Sequence, residues 1–327
     1  MITALVTGGT GFVGSHVARA LVERGYQVRI LRRETSRLDA VSDIVCEHAV
    51  GDVMDLDSLR AAMDGVDWVF HVAAVADYWR SDPGRIYEVN VDGTRHVLRA
   101  AEDTGVRRVI FTSSAAAMGY RDDLCPVDES VRFNYDPRVT PYGHSKFLAE
   151  AEVYRAIRRG LDCVILNPTV IVGPGDLNQI SSSVVLEMAR GHVPPTVPPG
   201  GVTLIDARDV AAAHVAAAER GRTGERYLLG AVDLTHKAWM RLTADAVGRR
   251  RWALALPAWA VHPAAWGADL LRRCGVPIPI EGNQLRLSAR MMFFNCQKSW
   301  RELGEPRIPI QQSLRDAYAW YRAHGDL

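Results

Sequence analysis

Residues 4–23 read ALVTGGTGFVGSHVARALVE: an apolar run, a cluster of glycines, then small and apolar residues at helical spacing. The apolar run has no polar alternation, which predicts a strand buried on both faces. Behind it, Gly8-x-x-Gly11-x-x-Gly14 predicts a tight turn feeding a helix. Such a turn lets the backbone approach a pyrophosphate and aims the helix N-terminus at it. A missing side chain at the third position lets helix and strand pack closely. The stretch therefore predicts a dinucleotide site at Gly8, Gly11 and Gly14.

The pattern repeats outward. Strand-like runs recur at ITALVT, QVRILR, DIVCEHAV, VDWVFHVAA, RRVIFTSS and DCVILNPTVIV, with helix-like stretches at 13–23, 56–63, 86–104 and 145–159 between most of them. Apolar strands alternating with amphipathic helices predict a parallel sheet covered on both sides, a doubly wound α/β architecture of Rossmann type. Beyond about Gly175 the texture changes. Prolines cluster in GHVPPTVPPGG, and helical patterns prevail at 181–191, 209–220, 236–248 and 257–273, broken by a short strand-like YLLG at 227–230. Leu314, Ala317, Tyr318 and Tyr321 form one apolar stripe on a last helix, 314–324. The expected division is residues 1–175 for the dinucleotide, with a strand and helix around 202–220 returning to it, and 176–327 for a smaller, mostly helical substrate lobe.

The run QVRILRR ends in Arg32 and Arg33. At this strand end a carboxylate would bind the ribose 2′-hydroxyl of NAD. It would repel a 2′-phosphate, whereas guanidinium forks match one, so the pair favours NADP(H) over NAD(H). Asp52 and Val53 follow the third strand, where an adenine edge would be met. Ala73 and Ala74 follow the fourth, where small side chains let a cofactor lie against the backbone.

Composition narrows the classes. Of 327 residues, 39 are basic and 38 acidic, a net charge of +1 that gives no reason to propose a nucleic-acid partner. Cys46, Cys125, Cys163, Cys274 and Cys296 are odd in number and widely spaced, which suits free thiols in a reducing cytoplasm. The first apolar run is interrupted by TGGTG and lacks a basic leader, so no signal peptide is expected. Residues 252–271, WALALPAWAVHPAAWGADLL, raise a membrane question, but their prolines, histidine and aspartate favour buried or pocket-lining helices over a surface contact with lipid.

The chain holds ten tyrosines and only three lysines, Lys146, Lys237 and Lys298. Tyr142 and Lys146 stand four apart in TPYGHSKFLAEAE, on one face of a predicted helix. A phenol is a poor proton donor near neutrality until a nearby ammonium stabilises its anion. Ser114, at the end of the fifth strand, falls at the same sheet edge as the glycine turn and is placed to hydrogen-bond a reacting oxygen. Tyr78, Trp79 and Tyr120 follow strand ends and are candidates for an aromatic substrate pocket.

With TGGTGFVG and Tyr142-Gly143-His144-Ser145-Lys146 as a YxxxK motif, the chain resembles the extended short-chain dehydrogenase/reductases over nearly its whole length. NVDGT at 90–94, FTSS at 111–114, NPT at 167–169, DARDVA at 206–211 and NCQKSWRELG at 295–304 extend the resemblance. Within that family it is most similar to bacterial dihydroflavonol 4-reductase-like and hopanoid-associated sugar epimerase proteins, with 3β-hydroxysteroid dehydrogenases more distant. The resemblance implies Tyr142 as general acid–base, Lys146 on the nicotinamide ribose and Ser114 on the substrate oxygen. It further implies Gly8, Gly11, Phe12 and Val13 at the pyrophosphate, Pro168 near the carboxamide, Asn167 beside the substrate and a supporting role for Asn90. Relatives often dimerise through helices of the cofactor domain, which makes a homodimer the implied assembly.

Ala115 and Ala116 stand where the family's nucleotide-sugar dehydratases carry an acidic pair, which argues against dehydration. Asp206 replaces a frequent histidine. The expected activity is an NADP(H)-dependent carbonyl reductase acting on a small molecule. The alternative is a nucleotide-sugar epimerase with tightly held NAD(P). A non-catalytic cofactor sensor is a third reading, disfavoured because Ser114, Tyr142 and Lys146 are all present.

Overall fold

Alternation along the first strand shows how the central sheet is covered. In β1 (Thr3–Thr7), Ala4 and Val6 pack into a core on one face while Leu5 packs into another, and all three are fully buried. A strand wrapped on both faces has no position for a polar side chain, and its apolar run follows from that. The computed structural model describes residues 1–76, 82–121, 123, 125–177, 179, 182–194, 196–250, 254–274, 282–325 and 327.

The chain continues through α1 (Phe12–Glu23), β2 (Gln27–Arg32), β3 (Glu47–Val50), α2 (Leu56–Met63) and β4 (Trp68–His71). A short α3 (Pro83–Tyr87) passes through a π-helical turn, Glu88–Asp92, into α4 (Gly93–Thr104), followed by β5 (Arg108–Thr112), α5 (Pro141–Arg158) and β6 (Cys163–Pro168). Next come β7 (Val170–Val172), α6 (Ser183–Arg190), β8 (Thr196–Val197), β9 (Gly201–Asp206), α7 (Ala207–Arg220), β10 (Arg226–Leu229) and β11 (Val232–Thr235). The remainder is α8 (His236–Ala246), β12 (Leu254–Ala255), α9 (Ala258–Arg273), α10 (Gly282–Ser288), β13 (Met291–Met292), α11 (Gln297–Leu303) and α12 (Ile310–Ala323).

Seven parallel strands form the central sheet in the order β10-β6-β5-β4-β1-β2-β3. The order reverses between β1 and β4, so their C-terminal ends open a crevice. Helices α1 and α7 pack together on one face, and α2, α4 and α5 cover the other. The 202–220 segment divides: α7 lies on α1, while β9 runs in a second sheet with β7, β11 and β13. It is β10, the YLLG run, that completes the central sheet. A separate core around Leu186, Leu204, Leu314 and Tyr321 joins α6, α8, β9 and α12.

Candidate active site

The crevice holds a cavity of about 1490 Å³ that extends from the glycine turn to the second sheet. Its first part is shaped by missing side chains. Gly8 has φ +67°, and a Cβ there would lie 2.8 Å from Ala73 Cα. A Cβ on Gly14 would overlap the Gly8 carbonyl oxygen. The turn is closed by Gly11 N donating to Gly8 O at 3.0 Å, and α1 starts at Phe12 with its N-terminus at the cavity. That leaves backbone open to close approach beside a helix N-terminus, the arrangement that suits a pyrophosphate.

Gly8, Gly11, Phe12, Val13 and Gly14 line this part, with Asp52 and Val53 after β3, Ala73 and Ala74 after β4, and Pro168 at the end of β6. Arg32 and Arg33 line it at the end of β2, and among the described residues neither forms an ion pair. The Arg32 Nε is buried without a hydrogen-bond partner. A donor of this kind costs free energy unless an acceptor arrives, and the residues present fit a nicotinamide dinucleotide.

Ser114, Tyr142 and Lys146 line the same cavity. Pro141 opens α5, and Thr140 caps it by accepting from Gly143 N at 3.3 Å, which sets Tyr142 in the first turn and Lys146 one turn later. Tyr142 is 7% exposed and Lys146 2%. Lys146 Nζ donates to Thr112 O at 2.8 Å and lies 5.2 Å from the Phe111 ring centroid. Burial lowers its pKa to about 8, partly opposed by Glu150. Ser114 Oγ accepts from Ala116 N at 3.1 Å, leaving its own hydrogen to donate. Ala115 and Ala116, also on the wall, bring no acid next to it.

Supporting groups surround the site, and of these only Asn90 carried an expectation from the sequence. His214 Nδ1 meets the Val210 carbonyl at 2.8 Å, so that nitrogen bears the proton and Nε2 accepts from the Thr112 hydroxyl at 2.8 Å. Burial lowers this imidazole to about 4. His71 bridges Thr7 (2.8 Å) and Thr94 (3.0 Å), and burial followed by the Lys146 charge lowers it to about 3. Both rings are therefore neutral braces. Asn90, in the π-helical turn, clamps Val75 N and O at 2.8 and 3.0 Å and donates to Ser145 Oγ at 2.9 Å, tying the edge of β4 to α5. A π turn shifts the helix phase by one residue, and here that phase change aims Asn90 inward.

The other substrate candidates fall elsewhere. Asn167 does not line the cavity: it is fully buried, and its Nδ2 donates to Ser114 O at 3.0 Å and Glu150 Oε1 at 2.6 Å. Tyr120 is also off the wall, its ring tilted against that of Tyr135, which does line it. Tyr78 and Trp79 lie outside the described residues, as does Trp252. Asp206 is a fully buried cap of α7 that accepts from Arg208 N at 2.7 Å and pairs with the Arg208 guanidinium.

The substrate end is built by groups that no local motif announces. Val170, Ile171, Val184, Leu287, Met292 and Phe294 make it apolar. Among the described lining residues beyond Pro168, Arg272 is the sole formal charge. Thr169 Oγ1, His236 Nε2 and Trp239 Nε1 reach this wall as buried polar atoms without partners. The expectation of buried or pocket-lining helices at 252–271 holds for one side of α9 only: Val261 and Ala265 are buried, while Trp259 is 78% and Trp266 67% exposed. Its alanine-rich side packs and its tryptophan side does not.

Comparison with known proteins agrees with this geometry. Residues 4–230 match the NAD dependent epimerase/dehydratase family. The chain is 37% identical over 328 residues to a putative dihydroflavonol 4-reductase of Synechocystis, covering 98% of this chain and 94% of that one. It is 33% identical over 328 residues to sterol demethylase protein B of Methylococcus capsulatus, covering 99% of each. The crystal structure of gox2253 aligns over 100% of both chains with a TM-score of 0.88 and 37% identity. The chain belongs to the NAD dependent epimerase/dehydratase family, that is, to the extended short-chain dehydrogenase/reductases, which bind a nicotinamide dinucleotide.

Proposed function

We propose that the protein is an NADP(H)-dependent reductase of an apolar carbonyl compound, with Ser114, Tyr142 and Lys146 as its catalytic residues. The observation that carries this reading is one cavity with a glycine cradle and two unpaired arginines at one end, a Ser-Tyr-Lys set at its middle and an apolar wall at the other. Residues 1–175, backed by α7, hold the dinucleotide, and 176–327, including β9, mainly supply the substrate wall. The bound cofactor supplies the hydride. The Tyr142 hydroxyl gives its proton to the substrate oxygen, and the buried Lys146 ammonium stabilises the phenolate left behind. Ser114 donates to the same oxygen and holds it in place.

A nucleoside diphosphate would need several cations at the substrate end, and Arg272 alone is a thin supply there. The relative named a dihydroflavonol reductase supports the same choice. Incubation with a panel of ketones, aldehydes and nucleotide sugars tests it. Steady loss of NADPH absorbance with an apolar ketone is expected. Interconversion of a nucleotide sugar with no net absorbance change would replace the reductase with an epimerase.

Two further outcomes follow from the same groups. Replacing Arg32 and Arg33 by glutamate lowers NADPH affinity by roughly ten- to hundredfold, the worth of a charge-assisted contact, and leaves NADH affinity nearly unchanged. Fluorescence titration reads both, and equal native affinities for the two cofactors would refute the 2′-phosphate assignment. The pH profile of kcat/KM, which reports the free enzyme, falls as pH rises through about 8, where Lys146 loses the charge that supports the phenolate. A profile flat well above that value would remove Lys146 from this role.

A further inference from the structure

One surface feature has no part in the proposed chemistry. On α9, Trp259, Pro263, Trp266 and Leu270 stand at i, i+4, i+7 and i+11, a spacing that puts them on one helix face. That face is open to solvent, with Trp259 78%, Trp266 67% and Leu270 45% exposed. Val261 and Ala265, on the opposite side, are 2% and 0% exposed. Leu254 in the adjoining β12 adds another side chain that is 61% exposed. An apolar stripe of this length in water marks a contact surface.

The charge around it is one-sided. The described residues 236–250 carry Lys237, Arg241, Arg249 and Arg250 against Asp245 alone, in a chain whose net charge is +1. Asp269 is neutralised by Arg286 at 2.9 Å. Helix α8, which carries Lys237 and Arg241, touches β12.

We propose that α9 docks this protein on an anionic lipid surface, with its tryptophan stripe in the headgroup–acyl boundary and the flanking arginines among the headgroups. Tryptophan favours that boundary, and basic residues gain from an anionic leaflet. No helix of the described residues is long and apolar enough to cross a membrane, so α9 lies on the surface. A second copy suits the face poorly, because a two-fold contact would set the same positive charges against one another.

Docking bears on the cavity through one joint. Asp269 accepts from Gly282 N at 3.0 Å and Arg286 Nη2 at 2.9 Å, which binds α9 to α10. Gln284, Leu287 and Ser288 of α10, with Arg272 of α9, are part of the substrate wall. The lipid-facing helix and the apolar end of the cavity therefore form one unit. The docking surface goes beyond the reductase reading and stands without it.

The test is flotation of the full chain with phosphatidylcholine vesicles, with and without phosphatidylglycerol. Native protein is expected to float with the anionic vesicles, less so at high salt. Trp259→Ser with Trp266→Ser weakens that by on the order of tenfold or more at an unchanged unfolding temperature. Arg249→Glu with Arg250→Glu, well outside the helix, serves as a second variant should the first fail to fold, and weakens flotation in the same way. Native protein that stays out of anionic vesicles, or variants that float as well as it does, would overturn the proposal. So would a native dimer that the tryptophan substitutions dissociate while vesicles remain unbound, because the occupant would then be a second copy.

Discussion

Tyr142→Phe lowers turnover by about 10²–10⁴-fold, the usual worth of a positioned general acid–base, and leaves NADPH affinity near native. The substitution is narrow. Phenylalanine keeps the ring that is 7% exposed in the first turn of α5, so packing and the cap at Thr140 survive. Only the hydroxyl is lost, and with it the one proton donor that α5 presents to the cavity one turn from a buried ammonium. Lys146 keeps its bond to Thr112 O in the variant, so the cofactor side of the cavity is undisturbed. Steady-state NADPH oxidation gives the turnover and fluorescence titration gives the affinity. Turnover within a few fold of native would show that another group protonates the substrate, and loss of NADPH binding would show that the ring, not the hydroxyl, was needed.

What the sequence disclosed and what it hid have a common physical basis. The glycine turn was legible because Gly8 and Gly14 meet backbone that no side chain can share, so the constraint is written at those positions. Tyr142 and Lys146 were legible because one helical turn brings them together without help from the rest of the chain. The apolar substrate wall was not, because Ile171, Leu287, Met292 and Phe294 come from distant segments and meet only around the second sheet and α10. Asn167 was expected beside the substrate and is instead internal: all six residues of β6 are buried, so strand alternation gives no clue to which face a side chain takes. The run 252–271 read as buried from its apolar content, and content alone cannot say which side of α9 finds a partner. The break between α3 and α4 was likewise hidden, since a π turn leaves the apolar pattern of 86–104 nearly unchanged.

Glu150→Ala destabilises the protein by about 3–5 kcal/mol, the cost of breaking a buried charge pair by removing one partner. Glu150 is one turn beyond Lys146 and 2% exposed. Its Oε1 accepts from Ser113 Oγ at 2.5 Å and Asn167 Nδ2 at 2.6 Å, and its Oε2 pairs with Arg226 at 3.2 Å. Burial pushes the carboxyl above the ordinary range, while Arg226, Ser113 and Asn167 pull it back. Alanine strands the Arg226 guanidinium, 14% exposed and left among the described residues with only the Glu129 carbonyl, and takes the acceptor from the Ser113 hydroxyl and from one N–H of Asn167. Arg226→Ala is expected to cost a similar amount, and Glu150→Ala combined with Arg226→Ala less than the two single losses added, because the double replacement leaves no lone charge. Denaturant unfolding of the four proteins reads that coupling; strictly additive losses would mean that the two side chains act independently. The site should register the same change. Asn167 also holds the Ser114 carbonyl, so a Glu150 variant that still folds is expected to lose kcat/KM while Glu150→Gln, which keeps an acceptor for Ser113 or Asn167, recovers part of it.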